Sequence, residues 1–188
     1  MCIRDSPNPT VVNLESGNFH PPHLTSHDDS FDRSTQTTGA QRFEKAISGY
    51  YLPQLFQHIM PEYKIDGDSS ALVKLRDQGE GRASHLAGQL LQRSARLAAA
   101  GLTAVASFYD PERPTGVLAE GGLLWGDPLY VPTLKEALKE LTGNDKLKLI
   151  KQRENVNLLG AASATLSASK NNSDARSTVS GKFKNLLS

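Results

Sequence analysis

The sequence predicts an α/β layered domain, and two observations carry that reading. Short apolar or β-branched runs alternate with segments of helical period, and those segments are long enough to cover a sheet. The longest, from Glu80 to Ala100, carries a stripe of Ala83, Ala87, Leu90, Leu91, Ser94, Leu97 and Ala98, whose small residues suit close packing on a sheet.

Composition bounds the classes of partner. The chain has 188 residues, 38% of them hydrophobic, which is enough for one substantial domain or one lobe of a larger enzyme. Its 21 basic and 20 acidic residues leave a net charge of +1, so neither a nucleic acid nor a membrane surface is expected as a partner. The lone cysteine, Cys2, has no internal disulfide partner, no apolar run approaches the roughly 20 residues that span a bilayer, and no secretory h-region opens the chain. A cytoplasmic setting is the expectation. The first six residues, Met1-Cys2-Ile3-Arg4-Asp5-Ser6, resemble a translated sequencing adapter and are set aside from the fold.

In chain order, Thr10-Val11-Val12-Asn13-Leu14-Glu15 alternates and is β-branched, which predicts a strand ended by Ser16-Gly17-Asn18. Residues 20 to 38 have loop composition; His20, His23, His27 and Asp28 are ligand types for a metal, but the plain polar loop is the favoured reading. Phe43, Ile47, Tyr51, Leu55 and Ile59 then recur at helical spacing. Pro53 either kinks that helix or sits in the first turn of a second one. Gln41 and Glu44, three apart, share one face at its start. From spacing alone, Glu44 simply complements the helix dipole and Glu15 is a solvated strand end.

A loop follows around Asp66-Gly67-Asp68-Ser69-Ser70, then the long helix, with Gly101 as its C-cap. Leu102 to Tyr109 reads as a buried strand, and Asp110 to Thr115 as a turn. Gly116 to Trp125 reads as strand, two-glycine turn and short strand. Pro132 to Leu141 is a helix with Leu134, Leu138 and Leu141 on one face, stopped at Thr142-Gly143-Asn144, and Leu147 to Ile150 is a strand. Gly160 opens a small-residue helix through Ala168. Residues 170–188 are polar and weakly patterned, and are expected to form a disordered tail.

Several of these stretches, in this order, resemble the eukaryotic-type hexokinases. Gln41-Arg42-Phe43-Glu44-Lys45-Ala46-Ile47-Ser48-Gly49-Tyr50-Tyr51-Leu52 resembles the helix whose glutamine and glutamate hold sugar hydroxyls. Glu15, with Gly17 and Phe19 in register, resembles the Glu-Trp-Gly-Ala-Phe turn that supplies a second glutamate, with Ser16 in place of the tryptophan. Phe31-Asp32-Arg33 resembles the family's Glu-Phe-Asp loop, and the run through Ala100-Gly101-Leu102 its Ala-Gly-Leu turn. Glu120-Gly121-Gly122 stands where the family has Asp-Gly-Ser/Thr against a nucleotide phosphate. The stretch holding Asn157, Gly160, Ala161 and Ala162 resembles the loop folded under the adenosine.

The resemblance covers about residues 10 to 168. It implies that residues 7–169 are the C-terminal large lobe of a hexokinase-like domain, a ribonuclease-H-like fold of the actin and sugar-kinase type, mixed in its sheet and incomplete at the N-terminus. It also implies transfer of the ATP γ-phosphoryl group to the 6-hydroxyl of glucose or a related hexose, with Mg²⁺ carried on the ATP. Glu15, Gln41 and Glu44 would orient the sugar; Glu120, Gly121, Gly122, Asn157 and Gly160 would face the nucleotide. The family's catalytic aspartate lies upstream of the strand that holds Glu15, and no Asn-Asp-Thr-Val-Gly-Thr-like stretch occurs here. Two other readings stay open: a non-catalytic sugar- or partner-binding protein on a decayed kinase lobe, and an actin-like structural module.

Overall fold

The computed structural model describes residues 14 to 108 and 114 to 151, together with the backbone of Cys2–Ile3 and Thr10–Val11. The chain divides into two compact units, Met1–Leu149 and Ile150–Ser188, and all but the first two residues of the second lie outside the described part. The elements are β1 (Cys2–Ile3), β2 (Thr10–Val11), a 3-10 helix at Ser16–Asn18, α1 (Ser26–Ser34), α2 (Arg42–Ile47), α3 (Tyr51–Ile59), α4 (Ser69–Gln78), α5 (Gly81–Ala106), β3 (Thr115–Ala119), α6 (Gly122–Gly126), α7 (Tyr130–Thr142) and β4 (Leu147–Lys151). β1 and β2 pair antiparallel, Cys2 opposite Val11 and Ile3 opposite Thr10. β3 pairs with β4, where the Thr115 amide donates to the Lys146 carbonyl at 3.0 Å.

Helix α5 is the centre of the first unit. Its Ala83, Ala87, Leu90, Leu91, Ser94, Ala95 and Ala99 are buried, and α2, α3, α4 and α7 all pack against it. The small-residue stripe therefore does its packing on other helices. Leu52, Leu55, Phe56 and Met60 of the α3 segment, Leu72 of α4, and Leu134 and Leu138 of α7 fill the space around it. Among the described residues no helix is long and apolar enough to cross a membrane.

Several elements depart from the sequence reading. The polar stretch 20 to 38 contains α1, because Thr25 and Asp28 make a reciprocal capping box that satisfies its first turn. The helix through Tyr51 is two helices, broken at 48–50, with Pro53 in the first turn of the second, where its missing N–H has no partner to lose. α4 follows the loop at 66–68, with Asp68 accepting from the Ser70 amide as its cap.

Gly101 does not end α5, which runs on to Ala106 in place of the expected strand; the apolar run after Gly101 fits either period, and the alanines before it are strong helix formers. A β-carbon at Gly101 would stand 3.1 Å from Phe43 Cζ, so the glycine is the gap that Phe43 fills. The residues after Gly121 form α6, not a short strand. Helix α7 keeps its predicted place and stop, Gly143 closing it at φ 69°, although Leu141 faces outward; β4 also stands where predicted. The turn at 110–113, Asn157, the helix from Gly160 and the tail 170–188 lie outside the described residues.

Candidate functional site: the start of helix α2

Helix α2 is six residues long, about 9 Å, and chemistry gathers at both of its ends. At its start the 3-10 turn of Ser16–Asn18 lies alongside. The Phe43 amide donates to the Phe19 carbonyl at 3.1 Å and the Gln41 amide to Asn18 Oδ1 at 3.0 Å. Glu15 is the residue immediately before this turn and has a partner of its own. A β-carbon at Gly17 would stand 3.2 Å from Glu44 Oε2 and 3.3 Å from Glu44 Cβ, so the bare backbone of Gly17 is what lets Glu44 sit there.

The Asn18 bond decides what Glu44 is free to do. Glu44 occupies the third helical position, from which a glutamate ordinarily reaches back to the N-cap amide. That amide belongs to Gln41 and is already taken by Asn18. The Glu44 carboxylate is half-buried and has no hydrogen bond or ion pair with any described residue. Gln41 in turn is fixed by Tyr51, whose hydroxyl stands 3.2 Å from Gln41 Oε1.

Behind this face is a buried ionic cluster. Lys45, 3% exposed, donates from Nζ to Asp32 Oδ1 at 2.7 Å, Thr35 Oγ1 at 2.9 Å and the Thr37 carbonyl at 2.6 Å. Asp32 Oδ2 accepts from the Gly39 amide at 2.9 Å and pairs with Arg42 at 3.0 Å, while Arg42 also pairs with Asp29. Burial pushes the Asp32 carboxyl up, but hydrogen bonds from Lys45, Gly39 and Arg42 outweigh it and hold the group below the ordinary carboxylate range. Asp28 behaves alike: burial raises it, and Arg93, bidentate at 2.7 and 2.8 Å, together with Thr25, brings it down. The oxygens of Asp28 are thus engaged by Arg93 and Thr25, while His20, His23 and His27 are exposed.

The far end of α2 opens on a different feature. Ser48 and Gly49, which break the helix, line a cavity of about 850 Å³ with Ser69, Glu120, Gly121 and Gly122. Gly49 is required there by close approach, since a β-carbon would stand 2.9 Å from Ser69 Oγ and 3.1 Å from Leu123 Cβ. Gly121 holds φ at 144°, a conformation open mainly to glycine, and turns the chain from β3 into α6.

The structure thus brings Gln41, Glu44 and the residues after Glu15 together, and sets Glu120–Gly122 at the opposite end of the same helix. Glu15 itself lines a neighbouring apolar groove of about 690 Å³ with Leu14, Phe19, Phe43, Leu97 and Phe108, and neither Gln41 nor Glu44 lines that groove. Asn18 and Tyr51, which hold Gln41, are given no part in the site by the sequence reading, whereas Gly17 enters it only as in register with the family's turn. The turn composition of 16–18 is the one available signal for Asn18.

A family model for hexokinases matches residues 3–88. Hexokinase-10 of Oryza sativa subsp. japonica is 30% identical over 85% of this chain and 43% of its own length, and hexokinase-2 of Arabidopsis thaliana is 27% identical over 85% and 42%. The chain therefore spans less than half the length of these relatives. Among solved structures, a crystal structure of hexokinase superposes with a TM-score of 0.59 at 22% identity, covering 76% of this chain and 41% of that one. A hexokinase from Schistosoma mansoni complexed with glucose gives a TM-score of 0.52 at 18% identity, covering 68% and 38%. These likenesses carry the fold, an incomplete ribonuclease-H-like lobe of the actin and sugar-kinase type. With the family model, the relatives and the order of motifs in agreement, the chain belongs to the hexokinase family.

Proposed function

We propose that this chain is part of an ATP-dependent hexokinase that phosphorylates glucose or a related hexose at the 6-hydroxyl, and that it carries part of the sugar and nucleotide sites without the catalytic base. The observation that carries this is Glu44: a half-buried carboxylate, released from helix capping by Asn18 and without a partner among the described residues, beside a fixed Gln41 amide. Leaving such a carboxylate unpaired costs free energy that a ligand hydroxyl offsets. Glu15, just before the 3-10 turn and lining the neighbouring groove, is the third residue of this reading, carried by the family resemblance of its turn. ATP, bringing Mg²⁺ on its phosphates, takes the cavity at Gly49 and Gly121-Gly122, where glycines let backbone amides approach phosphate oxygens. Asn157 and Gly160 belong to the same proposal.

A positioned general base is worth about 10² to 10⁴ in rate, and none is assigned in this chain. The purified 188-residue chain is therefore expected to release no ADP in response to glucose; sustained glucose-dependent release would sink the assignment of the base to another part of the enzyme. Titrating the ¹⁵N-labelled chain with glucose is expected to shift the amides of Gly17, Gln41 and Glu44, and Glu44→Ala to abolish the response. A Glu44→Ala chain that still responds would remove Glu44 from the site. The non-catalytic reading draws support from Gly122, which lacks the hydroxyl the family has at that position. Calorimetry separates the two, since that rival binds glucose but no ATP even when the missing part of the lobe is supplied.

A further inference from the structure

Gln41 is the only residue other than glycine with a positive φ, 55°, among those described. A side chain of this size rarely adopts that conformation, and it persists where its surroundings over-determine it. Here three hydrogen bonds do so. The Gln41 amide donates to Asn18, its carbonyl accepts from the Lys45 amide at 2.8 Å, and its side-chain Oε1 faces the Tyr51 hydroxyl.

Tyr51 is itself held in place. Its ring meets Phe31 edge-on at 6.3 Å and Tyr50 at 4.9 Å, and its backbone amide is anchored to the Ser48 carbonyl and hydroxyl. The phenol proton has one protein acceptor among the described residues, Gln41 Oε1. Were the amide reversed, Nε2 would donate to the phenol oxygen and that proton would lose its acceptor. The pairing therefore favours Oε1 toward Tyr51 and leaves the two Nε2 protons for a ligand.

We propose that Tyr51 is a positioning residue that fixes Gln41 as a donor, so that Gln41 and Glu44 together select a polyhydroxy ligand whose neighbouring oxygens accept from one and donate to the other. The proposal rests on the sugar reading of this site and adds the direction of each hydrogen bond. It also predicts how analogues are ranked. At the ligand oxygen that Gln41 touches, fluorine can still accept from Nε2 whereas hydrogen cannot, so a fluoro sugar binds better than the deoxy sugar. At the oxygen that donates to Glu44, both replacements fail.

The test is Tyr51→Phe, which keeps the ring and deletes the hydroxyl. Side-chain ¹⁵N relaxation is expected to show the Gln41 amide ordered in the native chain and as mobile as exposed Gln78 in the variant, while Tyr63→Phe leaves it ordered. Glucose affinity is expected to drop about tenfold, and the preference for fluoro over deoxy sugar to disappear. An equally ordered Gln41 amide in Tyr51→Phe overturns the proposal. Gln41→Glu offers a second arm that keeps an acceptor for Tyr51 but removes the outward donor: glucose binding is expected to vanish with the fold intact, and retained binding again overturns the proposal. If glucose perturbs none of these chains, the sugar reading fails, while the amide order still decides the role of Tyr51.

Discussion

At the residue scale, one glycine and one strained glutamine shape the start of α2. Gly17 works by having no side chain: a methyl group there would enter contact with Glu44 at 3.2 to 3.3 Å, which the carboxylate can relieve only by moving. Gly17→Ala is expected to leave the fold in place, because this turn is exposed, and to weaken glucose binding about three- to tenfold through displacement of Glu44. Unchanged glucose shifts in the variant's spectrum would show that Glu44 tolerates the methyl. Gln41 carries the opposite logic, since its left-handed backbone costs about 1 to 2 kcal/mol that glycine would not incur. A Gln41→Gly chain is expected to unfold at a higher denaturant concentration and to lose its glucose response. A chain that became less stable would mean that the Tyr51 bond outweighs the strain.

At the element scale, the buried ionic cluster clamps α1 to α2 and α5, and so holds the face that carries Glu44. Asp28 and Asp32 have native pKa values below that of an unfolded aspartate, about 3.9, so their contribution is present in full above that value and is lost as the pH falls through the lowered native values. Stability measured by urea midpoint is accordingly expected to fall below about pH 4. Asp32→Asn leaves Lys45 buried without its counter-charge, and is expected to cost about 3 to 5 kcal/mol at pH 7 while flattening the acid limb. An unaltered acid limb would place the titration elsewhere. None of this clamp was legible in the sequence, where residues 20 to 38 read as a polar loop because α1 has few apolar residues and is held by charge. The signal that was present, Thr25 three residues before Asp28, marks a capping box only once a helix is suspected. By contrast α7 and β4 were legible, because leucine periodicity, a terminal glycine and a short alternating run each point one way. Gln41 and Glu44 stood out by family resemblance, whereas Tyr51 was hidden: its role depends on a backbone break at 48–50 that brings α3 back toward the start of α2.

At the scale of the first unit, the two ends of α2 are tied to the rest of the fold through α5. Ser94, fully buried, donates from Oγ to the Ile47 carbonyl at 2.6 Å and stands 2.8 Å from the Tyr130 hydroxyl. Because the serine proton goes to Ile47, the phenol proton goes to Ser94, and the relay joins the last turn of α2 to the first residue of α7. Burial raises the Tyr130 phenol, the Ser94 bond lowers it in part, and the Asp127 carboxylate raises it further, so the net shift is upward and the phenol stays a donor throughout the neutral range. Asp127, 3% exposed and paired with Arg76 at 2.8 Å, fixes α4 to the same corner. Of the walls of the cavity proposed for the nucleotide, α2 and α7 are thus joined through one buried hydroxyl, while α4 is joined to the end of α6 by the Arg76–Asp127 pair. Ser94→Ala removes it and strands two groups at once, the Ile47 carbonyl and the Tyr130 proton, at an expected cost of about 1 to 3 kcal/mol in chemical denaturation. Ser94→Ala combined with Tyr130→Phe removes one of the stranded groups, and is expected to be less destabilised than the sum of the single variants. Strict additivity would show that the two hydroxyls act independently, and that the α2–α7 link is packing alone.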